Sequence, residues 1–270
     1  MPELPEVETV VRGLRPLLEG QRIDRVEVRR PDLRWPVPPD LAARLTGARV
    51  TALGRRAKYG LVTTDRGDCL VFHLGMSGRF RLDPHTLLAH DHFVLDAGGH
   101  RLVFHDPRRF GSLHLARSSS LEALPLLAGL GPEPLDADFD AATLARAAAG
   151  RTTAIKSLLL DQRVVAGIGN IYASEALFRA GIAPARAAGR IAAARLERLV
   201  ESVKAVLIDA IAAGGSSLRD HVTVSGQLGT FQHQFQVYGR TGEACPRCGG
   251  RIARFLLVGR ATYACRHCQR

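Results

Sequence analysis

Val7, Val10, Val11, Leu14 and Leu18 recur at steps of three and four residues, the spacing of one face of an α-helix. Prolines stand near its start and Gly20 can close it, so the chain is predicted to open on an amphipathic helix. Short segments rich in β-branched and apolar residues follow at 23–28, 49–53, 61–64, 69–74, 93–95, 102–105 and 112–115. Turn signals such as Asp65-Arg66-Gly67 and Gly98-Gly99 separate them, and the first half reads as an antiparallel β-sandwich or barrel. From about Leu121 the composition shifts to alanine and leucine. A loop at Gly131-Pro132-Glu133-Pro134 precedes helical periodicity over 141–149, 153–160, 171–180 and 191–212, with 185–194 expected as a solvated connection. Beyond the last helix, the glycines and hydroxyls between Gly214 and Gly229 suggest a mobile loop.

A chain of 270 residues can bury a sizeable core and is expected to hold two or three domains. Its formal charge of +11 and pI near 10.3 favour a polyanionic partner, nucleic acid or an acidic membrane surface. No apolar run reaches the roughly 18 to 20 residues needed to cross a bilayer. Lysine occurs only at positions 58, 156 and 204, and the arginine-rich remainder is as consistent with a GC-rich genome as with selection for phosphate contacts. Cys69, in the apolar run Cys69-Leu70-Val71-Phe72, is expected as a buried core thiol.

The other four cysteines close the chain as Cys245-x2-Cys248-x16-Cys265-x2-Cys268. Two such pairs on two turns can wrap one Zn²⁺ tetrahedrally, and a closed four-sulfur site leaves no position for water. One structural zinc ion is therefore expected, with Arg260 near the tip of the hairpin between the pairs. Two disulfides are the alternative; the absence of anything resembling a signal peptide favours zinc and a cytoplasmic, nucleoid-associated protein.

Pro2 follows the initiator methionine, and a small second residue generally permits that methionine to be removed. A terminal amine titrates near 8 against about 10.4 for lysine, so it keeps a far larger nucleophilic fraction at neutral pH. Glu3 and Glu6, three residues apart on one helical face, could shuttle protons beside it. On residue type alone they are equally good helix-start residues.

The octet Pro2-Glu3-Leu4-Pro5-Glu6-Val7-Glu8-Thr9 resembles the opening of the formamidopyrimidine-DNA glycosylases. The likeness continues through Arg55-Arg56-Ala57-Lys58-Tyr59, His73-Leu74-Gly75-Met76-Ser77-Gly78, Asp106-Pro107-Arg108-Arg109-Phe110-Gly111 and Gly167-Ile168-Gly169-Asn170-Ile171-Tyr172-Ala173-Ser174-Glu175. It ends in Val237-Tyr238-Gly239-Arg240 and the four cysteines, spanning nearly the whole chain.

The resemblance implies an α+β multidomain protein: an N-terminal catalytic antiparallel β-sandwich with flanking helices (1–130), a helix-two-turn-helix domain with a lesion loop (131–225), and a zinc-finger β-hairpin (236–270). It implies a bifunctional glycosylase and abasic-site lyase of base excision repair. Such an enzyme removes formamidopyrimidines and 8-oxoguanine opposite C from double-stranded DNA through a Schiff base on Pro2 and β,δ-elimination; nothing in the sequence suggests an oligomer, and a monomer is expected. Glu3, Glu6, Lys58 and Arg260 are implied in catalysis. A base flipped out of the duplex leaves a gap, which the resemblance fills with Met76, Arg108 and Phe110. Taken singly, Met76 reads as core and Arg108 and Arg109 as surface charge. His73, Asn170, Tyr238 and Arg260, and more weakly Lys156, are implied at the DNA backbone, Arg109 as a further DNA-binding residue, and Ser217 and Thr223 at the everted base. The base loop departs from the family pattern: His221 follows Asp220 where an aromatic residue is common. Alternatives are an endonuclease VIII-like enzyme for oxidised pyrimidines, a non-catalytic DNA-binding zinc protein, and an RNA- or ribosome-associated zinc ribbon.

Overall fold

The computed structural model describes residues 2–217 and 226–270. They form two compact units: the described residues of Met1–Ala128 with Ala213–Thr230, and Gly129–Ala212 with Phe231–Arg270.

The first unit begins with α1 (Leu4–Leu18). Its start is a capping box in which the Glu3 backbone N–H donates to Glu6 Oε2 (2.8 Å) and the Glu3 side chain accepts from the Glu6 backbone. The periodic residues Val7, Val10, Val11, Leu14 and Leu18 are all buried, as their spacing predicts. Eight antiparallel strands then build two four-stranded sheets, interrupted by the short helix α2 (Leu41–Leu45). One sheet has the order β1 (Ile23–Val28), β6 (Asp91–Ala97), β7 (His100–His105), β5 (Arg79–Leu82). The other has the order β2 (Val50–Arg56), β3 (Tyr59–Thr64), β4 (Asp68–His73), β8 (Ser112–Arg117). A single core takes Leu70 and Phe72 from one sheet, Phe80, Phe93 and Phe104 from the other, and the apolar face of α1. Phe72 and Phe80 meet edge to face across it at 4.9 Å. The sandwich expected from the strand pattern is thus present, and Cys69 is buried in β4.

Seven of the eight strands lie where the apolar segments predict them. β5 went unread, because in Arg79-Phe80-Arg81-Leu82 only Phe80 is fully buried and four residues carry too little alternation to stand out. β4 and β6, by contrast, are buried along most of their length on both faces, which is why they read as continuous apolar runs.

The second unit holds α3 (Ala141–Ala148), α4 (Ile155–Leu160), α5 (Asn170–Ala180) and α6 (Ala193–Ala212), then the hairpin β9 (Ala253–Leu257) and β10 (Arg260–Ala264). Asp140 caps α3 by accepting from the Thr143 N–H at 2.7 Å. Gly181, with φ +69°, ends α5 in the left-handed conformation that a helix C-terminus favours. The 185–194 connection is largely exposed, as expected, but Ala188 and Ile191 pin it to the interior.

Within the sandwich Gly60 lies directly across from Phe72, and a Cβ added there would sit 2.0 Å from the Phe72 ring. Gly60→Ala should therefore destabilise the protein by about 1–3 kcal/mol through overpacking, read as a lowered midpoint in urea unfolding. An unchanged midpoint would show that the ring has room to move.

Candidate functional site

In the first unit the amino end is folded inward. Pro2, Glu3 and Glu6 are all buried. The second carboxylate oxygen of Glu6, Oε1, accepts from the Ser216 backbone N–H (2.8 Å) and hydroxyl (2.9 Å). One carboxylate therefore holds the first turn of α1 and the start of the segment carrying Ser217. Close approach is possible because Gly215 has no side chain: a Cβ there would lie 3.1 Å from Glu6. Ser217 in turn receives the Gly229 N–H on its hydroxyl at 2.9 Å. Thr223, and with it Asp220 and His221, lies outside the described residues.

Lys58 occupies the two-residue turn between β2 and β3, buried, after Ala57 in a left-handed conformation (φ +53°). Arg55 secures that turn by donating from Nη1 to the Ala57 carbonyl (2.8 Å) and from Nε to Glu8 of α1 (3.0 Å). His73, at the end of β4, accepts the Gly75 N–H on Nδ1 at 3.0 Å. Its remaining proton in the neutral form is then on Nε2. Burial, reinforced by the positive charges of Lys58 and Arg34, lowers its pKa to about 4.

Met76 and the pair Arg108 and Phe110 stand on two loops joined by Asp106, which is completely buried. Asp106 Oδ1 accepts from the Ser77 hydroxyl (2.6 Å) and Oδ2 from the Gly111 N–H (2.7 Å). The backbones of the two loops also touch at Gly75 (φ +64°), where a Cβ would fall 2.3 Å from the Phe110 carbonyl carbon. Only glycine fits there. Against this buried base the tips are open: Met76 and Phe110 are 38% and 44% exposed, and the Arg108 guanidinium lies 4.9 Å over the Phe110 ring. Arg109 turns instead to Asp32, at 3.3 Å.

The second unit gathers Lys156, Asn170, Tyr238 and the hairpin of Arg260. Lys156 is only 1% exposed, and its ammonium donates to the Ala261 carbonyl (3.1 Å) and the Thr262 hydroxyl (2.8 Å). Asn170, at the first turn of α5, donates to the same Ala261 carbonyl at 2.9 Å. Both therefore grip β10 immediately after Arg260. The hairpin closes through Val258 and Gly259, both at positive φ, in the two-residue geometry that matches strand twist. The Tyr238 ring packs against Tyr263 of β10, with centroids 4.9 Å apart and the planes tilted by 59°. Its backbone N–H, with those of Gln236 and Val237, converges on the fully buried carboxylate of Glu175 at 2.8–3.0 Å. Burial, only partly offset by those three donors, holds the Glu175 carboxyl above its usual pKa range.

The sulfur atoms of Cys245, Cys248, Cys265 and Cys268 all lie within 4.8 Å of one another. Cys245 and Cys268 are 3.8 Å apart, Cys248 and Cys265 3.5 Å. Zinc–sulfur bonds of about 2.3 Å in a tetrahedron place sulfurs about 3.8 Å apart, whereas a disulfide brings them to about 2.0 Å. The cluster fits a metal ion, and it is the one such group among the described residues.

Asp106, Ser77, Ser216 and Glu175 hold these side chains in place, and none was singled out from the sequence. Asp106 and Glu175 lie inside recognised motifs, but a carboxylate's burial has no local signature.

An antiparallel sandwich led by a buried amino end, with helices and a four-cysteine hairpin after it, is the architecture of one class of DNA glycosylase. Residues 1–113 match the formamidopyrimidine-DNA glycosylase N-terminal domain, and residues 130–222 the formamidopyrimidine-DNA glycosylase H2TH domain. Over the full length of both chains, the sequence is 58% identical to formamidopyrimidine-DNA glycosylases from Rhizorhabdus wittichii and Sphingopyxis alaskensis. The crystal structure of MutM (Fpg) from Thermus thermophilus superposes with a TM-score of 0.90 at 42% identity, over 99% of this chain and 98% of that one. Lactococcus lactis Fpg in complex with DNA containing an abasic site gives 0.91 at 35% identity, over 99% of both chains. The chain belongs to the formamidopyrimidine-DNA glycosylase family.

Because His73 is held neutral, NMR titration of its imidazole should show no protonation until the pH nears 4, with the proton on Nε2 above that. An unfolded histidine titrates near 6.5, so the depressed folded value contributes stability at neutral pH that is lost as pH falls from about 6.5 towards 4, at most about 3 kcal/mol. His73→Gln should flatten the acid limb of the stability curve across that window.

Proposed function

We propose that this chain excises oxidised purines, formamidopyrimidines and 8-oxoguanine opposite C, from double-stranded DNA and then cleaves the strand at the abasic site. Full-length kinship at 58% identity supports the activity. The observation that carries the mechanism is that Pro2 is buried immediately before a helix start capped by the buried carboxylates of Glu3 and Glu6.

With the methionine removed, Pro2 presents a secondary amine. Its nitrogen bonds to C1′ of the damaged nucleotide as the C1′–N bond to the base breaks, and the base leaves with a proton. Opening of the sugar ring leaves an iminium between Pro2 and C1′, with Glu3 exchanging the proton at the sugar oxygen. The iminium acidifies C2′; loss of that proton expels the 3′ phosphate, and a second elimination expels the 5′ phosphate. Hydrolysis of the iminium by water returns the amine. Glu6 positions the first turn, and Lys58 assists base loss from its buried turn.

Met76, Arg108 and Phe110 fill the gap left by the everted nucleotide, Arg108 offering donors to the estranged cytosine. His73, Arg109, Asn170, Tyr238 and Arg260 meet the DNA backbone, and Ser217 and Thr223 the everted base. Lys156 acts at one remove, through the hairpin its ammonium grips. The three functional segments are 1–130, 131–225 and 236–270. One Zn²⁺ held by the four cysteines fixes the hairpin that presents Arg260 and takes no part in the chemistry. The protein works as a monomer in the cytoplasm, at the nucleoid; among the described residues no helix is long and apolar enough to cross a membrane.

Borohydride added during turnover of an 8-oxoguanine:C duplex should trap a covalent complex through the terminal residue. Pro2→Gly, or an uncleaved N-terminal tag, should cut trapping at least tenfold while DNA affinity changes little; unchanged trapping would refute the assigned nucleophile. Elemental analysis should find one zinc per chain. Cys248→Ala should lose it and bind DNA about ten- to a hundredfold more weakly, as expected for losing charged phosphate contacts worth roughly 1.5–3 kcal/mol. Metal-free protein binding as tightly as wild type would remove the zinc from the DNA interface.

A further inference from the structure

Resting on the reading of this chain as a DNA-acting enzyme, we infer that Trp35 is a further DNA contact, packing its indole against the nucleic acid beside the Arg108–Phe110 loop. The segment between β1 and α2 forms an outward bulge with two buried feet. Leu33 and Val37 both enter the sandwich core, while the residues between them stay outside. The bulge is closed on itself by a hydrogen bond from the Val37 N–H to the Pro31 carbonyl (2.8 Å) and by a bridge between Asp32 and Pro36. Arg34, Trp35 and Pro36 are therefore displayed on a braced turn, with Trp35 50% exposed.

Two interactions fasten this bulge to the loop carrying Arg108 and Phe110. The Arg34 N–H donates to the Gly111 carbonyl at 3.2 Å, and Asp32 pairs with Arg109 at 3.3 Å. Whatever fixes Phe110 also fixes the neighbourhood of Trp35. Three large, exposed, apolar side chains, Trp35, Met76 and Phe110, thus stand on connected loops, interleaved with the exposed guanidinium of Arg34 and with Arg108. The positive charge of Arg34 adds to the effects that keep the His73 imidazole neutral. Exposed aromatics alternating with arginine suit a polyanion whose bases and sugars offer flat apolar faces. An apolar protein partner would instead call for a contiguous patch with charges only at the rim.

Trp35 is the single tryptophan of the chain, so its fluorescence reports this position alone. Titration with a duplex containing a stable abasic-site analogue should change the emission and reduce acrylamide quenching, with a midpoint matching the complex formed by fluorescently labelled duplex. Trp35→Ala should weaken that complex about 5- to 30-fold and Trp35→Phe less, both with the wild-type melting temperature. Emission and quenching unchanged at saturating DNA, with the complex demonstrated by the labelled duplex, would overturn the inference. So would Trp35→Ala binding as tightly as wild type. Loss of borohydride trapping with the fluorescence response intact would refute the glycosylase reading and leave the Trp35 contact standing, whereas no complex with any duplex would overturn both.

Discussion

A carboxylate taken out of water must be met by hydrogen-bond donors, because an unpartnered buried charge costs several kcal/mol. This constraint recurs at three places, and each time at least one donor belongs to a loop that carries or adjoins candidate site residues. Glu6 is met by its own helix start and by Ser216, Asp106 by Ser77 and the Gly111 N–H, and Glu175 by three successive N–H groups ending at Tyr238. Loops are ordinarily the loosest parts of a fold. Here their movement would strip donors from a buried carboxyl group, so each of these hydrogen bonds opposes it.

The arrangement separates rigidity from chemistry. In the sandwich the bases of the Met76 and Phe110 loops are closed by Asp106 and Gly75, while the tips stay open to solvent. In the second unit the tip of the hairpin carries Arg260, and Lys156 and Asn170 grip the strand one residue further on, at Ala261. The four-cysteine cluster closes the other end of the same hairpin. A short two-stranded hairpin is marginal by itself, and it is secured at both ends. An arginine that must meet a phosphate at a set position gains from such preorganisation, since little side-chain and loop freedom remains to be lost on binding.

Local pattern and tertiary context contributed unequally along the chain. Period-3.6 spacing marked α1 and α6, and period-2 or continuous apolar runs marked seven strands of the sandwich, because those elements bury a regular face. β5 escaped, since its neighbours rather than its own residues decide that Arg79-Phe80-Arg81-Leu82 pairs with β7. Lys156 is the sharper case. From sequence it is one cation among many near the start of a helix, suited to phosphate; in the structure its ammonium is buried and bonded within the protein. No local signal separates a lysine that meets solvent from one that meets a carbonyl 105 residues away.

The sequence by itself determined the order of the elements, a four-cysteine set spaced to hold a metal, the basic character and, through six ordered motifs, the family, since all of these are properties of residue type and spacing along one dimension. Only the tertiary structure decided which charged groups are buried, which loops share a carboxylate, that His73 is kept neutral and that the segment carrying Trp35 is fastened to the loop carrying Phe110. Burial and electrostatic environment depend on residues far apart in the chain and converging in space, and a linear pattern records neither.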